Sequence, residues 1–244
     1  MLNIILTSDK TSWALRPLIY TIRNYWSIEL NVLVGGYTPP PFALPPHYWQ
    51  FKSLGDFADY PTNKWSDGLI KFLESINTDL VLLHFDDFWL TRSVDRHAIT
   101  MAQNYMNDNP NVIRFDLTSD RLYAGGVQDC GHCGYLDLVR APSNSPYNFS
   151  YQTGIWRRES LLKCLRPGES AAESEIAGDL RVQTLGFDVV GTRQIPVKYC
   201  IAVQHGQLAF DGGYQGPRHA LNPQDAAYIK AQGWIPDNLI GGYA

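Results

Sequence analysis

The sequence predicts an α/β fold that is built in layers around a mostly parallel sheet. Its 244 residues are 45% hydrophobic, which is enough to bury the core of one large domain. In the first half of the chain, apolar runs of strand length alternate with segments of helical periodicity, an order typical of parallel strands connected by helices. The run 80–85 is apolar at every position but one, as expected for a strand covered on both faces.

The elements of the first half follow from short local patterns. An apolar run at the start of the chain ends in a polar turn, and Leu15, Leu18 and Ile22 then repeat at helical spacing behind Ser12, a favourable helix cap. Gly35 and Gly36 end the second strand. The predicted strands are 3–7, 30–34, 48–54, 80–85 and 112–117, and the predicted helices are the segment after Ser12, 65–76 and 94–106.

The second half is less regular, and residues 118–150 are predicted to be rich in loops. In the longest helix of this half, Ile176, Leu180 and Leu185 are expected to face inward. Pro223 occupies the first turn of a C-terminal helix, a position that proline favours. The predicted strands are 135–139, 150–156, 189–192 and 198–203, and the predicted helices are 158–165, 169–185 and 222–232.

Charge and composition narrow the functional classes. The chain has 20 basic and 24 acidic residues, a net charge of −4, which argues against broad electrostatic capture of nucleic acid. No apolar segment approaches the roughly 20 residues that a membrane span requires, and no signal peptide is visible. The sequence therefore predicts a soluble, cytoplasmic protein. Four cysteines in a chain of this length do not indicate a disulfide scaffold.

Two adjacent carboxylates give the strongest functional signal. Asp86 and Asp87 directly follow the apolar run 80–85, so they lie at the carboxyl end of a buried strand, where open α/β sheets bind ligands. Neighbouring carboxylates repel each other unless a cation joins them, and Mg²⁺ or Mn²⁺ prefers oxygen ligands shared with substrate phosphates. The pattern indicates a divalent ion that holds a diphosphate. The structural alternative is a helix-capping aspartate beside a solvated one.

A second signal combines the segment 151–159 with two glutamates further along the chain. Gly154 permits a close approach of the backbone to a neighbouring group. Glu173 and Glu175 are two positions apart near the start of a helix, so they point in different directions. One of them is a candidate general base facing a cleft. The alternative is that both are ordinary acids of a helix N-terminus.

Together these motifs resemble the nucleotide-sugar-dependent glycosyltransferases of the GT-A fold, in a GT2-like form. The resemblance covers roughly residues 1–205 and rests on three segments. These are Thr7-Ser8-Asp9 after the first strand, residues 65–90 with the Asp-Asp pair, and Tyr-Gln-x-Gly-Ile-Trp-Arg-Arg followed by Pro-Gly-Glu-Ser and Glu-x-Glu. It implies a Rossmann-type three-layer sandwich in a single domain, with a nucleotide-binding half at 1–117 and an acceptor-binding half with a C-terminal tail at 118–244.

The resemblance also implies roles for individual residues. Thr7, Ser8 and Asp9 would contact the base and ribose, Asp86 the ribose or sugar, and Asp87 the metal. Gln152, Gly154 and Trp156 would line the donor-sugar or acceptor side, and Glu175, or else Glu173, would deprotonate the acceptor hydroxyl. This sequence has Asp-Asp where the family has Asp-x-Asp, and Ala171-Ala172 where Pro-Trp would precede the acids. The first difference leaves open which carboxylate holds the metal.

The C-terminal region offers further candidates. GT-A enzymes often take another metal ligand from this region, and His205, which follows a predicted strand, is the first candidate. His219 is the second, and its neighbour Arg218 is a candidate phosphate contact. The alternative for a lone histidine is a structural role. Trp89, Trp156, Tyr151 and Phe88 are expected beside the acidic site, whereas Trp13, Trp26 and Trp65 are expected to pack in the core.

The resemblance thus predicts a metal-dependent glycosyltransferase that uses Mn²⁺ or Mg²⁺ to move a sugar from a nucleotide donor, UDP-sugar first, to a hydroxyl of a glycan or another acceptor. Alternatives are a non-catalytic sugar- or nucleotide-binding module and transfer to a hydroxymethylated DNA base, which the net charge of −4 disfavours. A nucleotidyltransferase would usually have glycine in the loop after the first strand, and residues 7–12 have none. Cys130 and Cys133 are either zinc ligands or free thiols in a glycine-rich loop.

Overall fold

The computed structural model describes residues 1–27, 29–123, 126–142, 144–204 and 206–239. Within these ranges, none of the helices has the length and apolar character needed to cross a membrane. The elements of the first half are β1 (Leu2–Leu6), α1 (Leu15–Tyr25), β2 (Val32–Gly36), β3 (Trp49–Ser53), α2 (Trp65–Glu74), β4 (Leu80–Phe85), β5 (Phe88–Leu90), α3 (Arg96–Asp108) and β6 (Val112–Asp116).

The second half continues with shorter elements. They are α4 (Asp120–Tyr123), β7 (Gln128–Cys133), β8 (Leu136–Arg140), β9 (Gly154–Arg157), α5 (Arg158–Cys164), α6 (Ala171–Thr184), β10 (Asp188–Thr192), β11 (Tyr199–Ile201), β12 (Val203–Gln204), β13 (Gln207–Leu208) and α7 (Pro223–Ala231). The sequence patterns predicted most of these within a few residues but missed β5, α4, β7 and β13.

A single large sheet runs through both halves of the chain. Its strand order is β3-β2-β1-β4-β9-β6-β10-β8-β7. The pairs β1–β2, β2–β3, β1–β4 and β6–β10 are parallel. Strand β9 lies between β4 and β6 and is antiparallel to both, so β4 and β6 run in the same direction and their carboxyl ends share one edge.

Apolar side chains on both faces of this sheet form the core. One cluster packs α1 and α3 against the sheet and includes Leu15, Leu18 and Ala102. A second cluster on the other face includes Leu69, Phe72 and Trp156. Helices on both faces of a mostly parallel sheet make a three-layer α/β sandwich, as the sequence predicted. The division into two functional halves stays a prediction.

Two expectations for the second half are wrong. Cys130 and Cys133 lie in strand β7, paired with β8, rather than in a loop, and both thiols are free. Ile176, Leu180 and Leu185 are 66%, 65% and 46% exposed rather than inward. Helix α6 instead buries Ser174, Gly178 and Val182, because the small residues at 174 and 178 let the helix approach its neighbours closely.

Candidate functional site

A cavity of about 300 Å³ lies at the carboxyl ends of β1 to β4, and we call it the first cavity. In a parallel sheet this edge is where ligands bind. Two of the predicted site segments meet here, the loop after β1 and the turn after β4, and the start of α2 also contributes. The lining residues are Leu6, Thr7, Ser8, Lys10, Thr11, Tyr37, Leu54, Phe57, Tyr60, Trp65, Leu69, Phe85, Asp86 and Asp87.

The Asp86–Asp87 turn connects β4 to β5 and is held on several sides. The backbone N–H of Asp86 donates to the Leu6 carbonyl at 3.1 Å, which extends the pairing of β4 with β1. The Thr7 hydroxyl donates to Asp86 Oδ2 at 2.5 Å, and Trp89 Nε1 donates to the Asp86 carbonyl at 3.1 Å. The Ala202 N–H donates to the Asp87 carbonyl at 2.8 Å. The two carboxyl groups therefore lie on a fixed turn at the cavity.

The electrostatics of the pair favour a bound cation. Burial and the neighbouring Asp87 raise the pKa of Asp86 well above its usual value, although the Thr7 hydrogen bond opposes this. Burial raises the pKa of Asp87 to about 7. Both shifts report the cost of placing two negative charges together in a poorly solvated place. A divalent ion would remove that cost by joining the carboxylates.

The residues present fit such an ion. Mg²⁺ is commonly held by one or two carboxylates together with substrate phosphates, so a full cage of protein ligands is not required. Asp86 and Asp87 would be its ligands, since no group of three or more His, Cys, Asp or Glu side chains suited to a metal occurs in the part of the chain that is described. His205, the predicted additional ligand, lies outside the described residues.

The remaining residues of the loop after β1 have separate roles. Ser8 lines the first cavity and its hydroxyl lies 3.0 Å from that of Thr11. Asp9, which was expected at the nucleotide, is absent from the described lining residues. Its carboxylate accepts from the Thr38 N–H at 2.9 Å and from the Thr38 hydroxyl at 2.8 Å, and so connects this loop to the one after β2.

The aromatic wall of the first cavity was not predicted. Tyr37 and Tyr60 stack with their ring centroids 5.8 Å apart, and Phe57 meets Tyr37 edge-on at 5.1 Å. Trp65 also lines the cavity, although it was expected to pack in the core. Each of these rings follows or precedes a sheet element at the carboxyl edge, and that position is the signal that could have identified them. Such rings suit stacking on a base or a sugar.

The rings expected beside the acidic pair are instead in the core. Trp89 and Trp156 have no exposed surface, and Tyr151 and Phe88 are 4% and 7% exposed. Trp89 packs edge-on against Trp13 at 6.0 Å. These rings are close to the proposed site residues in the sequence, but strand pairing directs their side chains into the core on the two faces of the sheet.

A second cavity of about 360 Å³ lies further along the same edge of the sheet, after β6. It contains three residues that sequence analysis singled out: Gln152, Arg218 and His219. The Tyr199 hydroxyl donates to the side-chain oxygen of Gln152, and His219 Nδ1 lies 3.4 Å from the Tyr199 carbonyl. The other lining residues are Thr118, Ser119, Asp120, Ile195, Val197, Lys198, Tyr199 and Gln215.

A buried ion network, which sequence analysis missed, supports one wall of the second cavity. Asp120 Oδ2 accepts from Arg114 at 3.2 Å and from Arg121 at 3.1 Å. Arg114 also donates to the Gln152 carbonyl at 3.1 Å, and the Arg121 N–H donates to the Asp116 carboxylate at 2.9 Å. The side chains of Arg114 and Asp116 are fully buried. The network therefore fixes Asp120 and Gln152 relative to each other.

The two candidate bases have different environments. Glu175 accepts from the Tyr151 N–H at 2.7 Å, directly beside Gln152, and burial raises its pKa. Glu173 is exposed, and its carboxylate accepts from the Ser170 N–H at 2.9 Å to close a capping box, which lowers its pKa. Neither side chain is among the described lining residues of the two cavities. Glu175 is the one next to them.

Gly154 and Trp156 belong to the framework of the site. Gly154 pairs with Leu83 and Asp116 in the middle of the sheet, and a Cβ there would come within 2.9 Å of the Phe115 carbonyl oxygen. Trp156 lies fully buried beneath Arg114, whose guanidinium carbon is 5.4 Å from the indole centroid. Both residues thus shape β9 and the ion network. Trp156 was predicted to contact a ligand, but its side chain has no exposed surface through which it could do so.

Comparison with known proteins supports the fold. No protein-family model and no curated protein matches the sequence. Staphylococcus aureus TarS 1–349 in complex with UDP-GlcNAc is similar with a TM-score of 0.50 at 12% identity, over 78% of this chain and 56% of that one. CMP:2-keto-3-deoxy-manno-octonic acid synthetase complexed with CTP has a TM-score of 0.43 at 12% identity, over 78% of this chain and 88% of that one. The 2-C-methyl-D-erythritol 4-phosphate cytidylyltransferase from Thermus thermophilus has a TM-score of 0.40 at 14% identity, over 95% of this chain and 98% of that one.

The chain has a GT-A-like fold. The likeness to TarS confirms, at the level of the fold, the resemblance that the motifs suggested. Shared architecture at 12% identity does not extend to the reaction, because one fold hosts many chemistries. The reaction must be argued from the site.

Proposed function

We propose that this protein is a glycosyltransferase that moves a sugar from a nucleotide-sugar donor to an acceptor hydroxyl. The observation that carries the proposal is the fixed Asp86–Asp87 turn at the edge of a cavity walled by aromatic rings. Tyr37, Tyr60 and Trp65 offer faces to a nucleotide base, and Lys10 supplies a positive charge for its phosphates. Because TarS was solved with UDP-GlcNAc, a UDP-sugar is the first donor to test.

The chemistry requires a cation at the leaving group. As the glycosidic bond to the nucleotide breaks, negative charge grows on the diphosphate, and Mn²⁺ or Mg²⁺ held by Asp87 would neutralise it as a Lewis acid. Asp86, anchored by Thr7, keeps the turn in place and faces the ribose or the donor sugar. The Trp89 hydrogen bond to the Asp86 carbonyl supports the same turn from within the core.

The acceptor hydroxyl must lose a proton as it attacks the anomeric carbon. In this proposal Glu175 accepts that proton, because its raised pKa suits a general base and it lies beside Gln152 at the second cavity. Asp120 already accepts from the guanidinium groups of Arg114 and Arg121, so in this proposal it binds an acceptor hydroxyl rather than removing its proton. A carboxylate base acting directly implies inversion at the anomeric carbon.

The direct test follows the release of nucleoside diphosphate from a panel of nucleotide sugars, with and without Mn²⁺. We expect one donor to be hydrolysed or transferred in a metal-dependent way by the wild-type protein and not by Asp87→Asn. Asp79→Asn, an exposed acid that precedes the same strand, is the matched control and should keep full activity. Calorimetry with UDP alone, without donor sugar or acceptor, measures nucleotide binding separately from turnover.

Three results would oppose the proposal. Release of pyrophosphate from a nucleoside triphosphate plus a sugar phosphate would identify a nucleotidyltransferase. Tight donor binding without turnover for any acceptor, unchanged in Asp87→Asn and Glu175→Gln, would indicate a binding module. Absence of both binding and turnover for all donors would reject a nucleotide-sugar site at the first cavity.

A further inference from the structure

The second cavity contains a concentration of positive charge that the proposed transfer chemistry does not use. Three of its lining residues are basic: Lys198, Arg218 and His219. Lys198 immediately precedes β11, and the other two lie in the short turn 217–219 that packs near this strand. Arg92 adds a further charge close to Lys198. This cluster occurs in a chain whose net charge is −4, so it does not reflect a generally basic surface.

The acidic residue at the second cavity is already paired with other cations. Asp120 is the one carboxylate among the described residues that line it, and its charge is already met by Arg114 and Arg121. Within the described part of the chain, the Lys198 ammonium has neither an ion pair nor a hydrogen bond.

The like charges oppose one another. Burial, Arg92 and Arg218 lower the pKa of Lys198, and burial, Lys198 and Arg218 lower that of His219. Holding like charges together in a partly enclosed place costs free energy unless an anion offsets them.

We propose that the second cavity binds an anionic group, a phosphate or a carboxylate, on the acceptor molecule. Lys198 and Arg218 would hold the anion, while Asp120 and Gln152 accept from or donate to hydroxyl groups of the same molecule. A volume of about 360 Å³ suits one charged monosaccharide unit. The inference rests on the proposed function, because it identifies the class of acceptor for that reaction.

The position of the cluster assigns the anion to the acceptor rather than to the donor. None of the three basic residues is among the described lining residues of the first cavity, where the Asp86–Asp87 turn and Lys10 would receive the diphosphate. Strand β9 lies between β4 and β6, so these two strands are two strand spacings apart, about 10 Å; the Asp86–Asp87 turn follows β4, and Asp120 lies beyond the end of β6. A donor in the first cavity and a charged acceptor in the second can then be bound together.

The test compares glucose 6-phosphate, glucuronate and glucose, three acceptors that differ mainly in the anionic group. With the donor identified as above, we expect kcat/KM for at least one anionic sugar to exceed that for glucose by tenfold or more. Calorimetry should show the same order of affinity without donor. Lys198→Gln should raise the KM of the anionic acceptor about 10- to 100-fold, the usual effect of losing a charge-assisted hydrogen bond, and leave the donor KM unchanged.

Lys163→Gln is the matched control, since Lys163 is exposed on α5 and lines neither cavity in the described residues; its variant should behave as the wild type. Equal use and equal binding of glucose and both anionic sugars would overturn the inference. So would a rise in the donor KM alone in Lys198→Gln, or turnover of hydroxymethylated DNA with no binding of the sugar acids. If no donor is turned over, the proposed function fails, and the calorimetric comparison still decides whether the cavity prefers an anion.

Discussion

Glu173 and Glu175 are two positions apart on α6, yet they differ in exposure, partner and pKa. Glu173 closes the capping box with Ser170 at the surface. Glu175 is partly buried and accepts from the Tyr151 N–H next to the second cavity. Their side chains point in different directions because successive helical positions turn by about 100°. Glu173 thus serves the helix cap, and Glu175 is the residue that the proposed transfer uses as its base.

Replacing Glu175 by glutamine should lower kcat by about 10²- to 10⁴-fold, the usual contribution of a general base. The amide oxygen of glutamine can still accept from the Tyr151 N–H, so the fold should be unchanged. Glu173→Gln, which keeps a side-chain acceptor for the capping box, should be nearly as active as the wild type. Steady-state kinetics on both variants provide the comparison, and equal losses in the two would contradict the assignment.

The environment of Glu175 also predicts how enzymatic activity depends on pH. A carboxylate base works only when deprotonated, and burial raises the pKa of Glu175 above the ordinary value for glutamate. Activity should therefore fall as the pH drops through this raised pKa, and the acid limb of kcat against pH should lie above the usual titration range of a glutamate. Measured at saturating metal and donor, that limb should disappear from the residual activity of Glu175→Gln.

Asp87 predicts how the metal affects stability. Metal and protons compete for its carboxylate, whose pKa burial raises to about 7, so Mn²⁺ should raise the Tm at pH 8 more than at pH 6. Asp87→Asn should lose this response, while Asp79→Asn should retain it. Thermal unfolding at fixed Mn²⁺ concentration measures the shift. A Tm increase that is the same at both pH values, or that survives in Asp87→Asn, would place the metal elsewhere.

At the scale of the element, α6 shows how a helix can bury small residues and expose large ones. Its solvent face has Ile176 and Leu180, and its buried face has Ser174, Gly178 and Val182. The reason is Phe149, whose ring packs against the helix at Gly178. A Cβ built on Gly178 would lie 2.4 Å from the Phe149 ring, closer than atoms can approach.

Gly178→Ala should therefore destabilise the protein by about 1–3 kcal/mol, the typical cost of overpacking a core. In an uncrowded helix the same change would stabilise the protein by about 0.4–1 kcal/mol. The sign of the change in unfolding free energy therefore shows whether Phe149 crowds position 178. Denaturation by urea gives the value. In the double variant with Phe149→Leu, the smaller side chain should relieve part of the clash, and strictly additive effects would show that the two residues do not touch.

Strand β7 contains the cysteine pair that was expected in a loop. Cys130 and Cys133 were expected in a loop, either free or bound to zinc, but they lie in a strand paired with β8. Cys133 donates to the Met101 carbonyl on α3 at 3.6 Å. Both thiols pack toward the core, and no suitable set of metal ligands occurs among the described residues.

At the scale of the whole molecule, the Arg114 network joins β6, α4 and the segment before β9. Arg114→Met should cost about 3–5 kcal/mol, because the buried carboxylate of Asp116 keeps its hydrogen bonds from Thr118 and the Arg121 N–H but loses its ion pair with Arg114. Arg193→Met is the matched control: its pair with Asp129 is exposed, and such pairs contribute about 0–1 kcal/mol. Chemical denaturation of both variants makes the comparison. Similar small losses would mean that the network does not hold the second cavity together.

The Asp86–Asp87 site was accessible from sequence because all of its evidence is local. An apolar strand of defined length must end, and the residues after it are at the ligand-binding edge of a parallel sheet. The resemblance to GT-A glycosyltransferases implied Thr7 and Ser8 after β1, and both line the first cavity. It did not predict Tyr37, Tyr60 and Trp65, because a ring that packs and a ring that lines a cavity have the same local pattern.

The sequence by itself determined the alternation of strands and helices, the acidic turn and the apolar faces of α1 and α2, since each depends on residues within a few positions of one another. Only the tertiary structure decided which side chains share a cavity. Lys198, Arg218 and Asp120 are far apart in the chain and meet because the segment before β11 lies against the carboxyl end of β6, where the Val197 N–H donates to the Leu117 carbonyl. Contacts of this kind depend on strand order and on the insertion of β9 between β4 and β6, and no local pattern encodes that order.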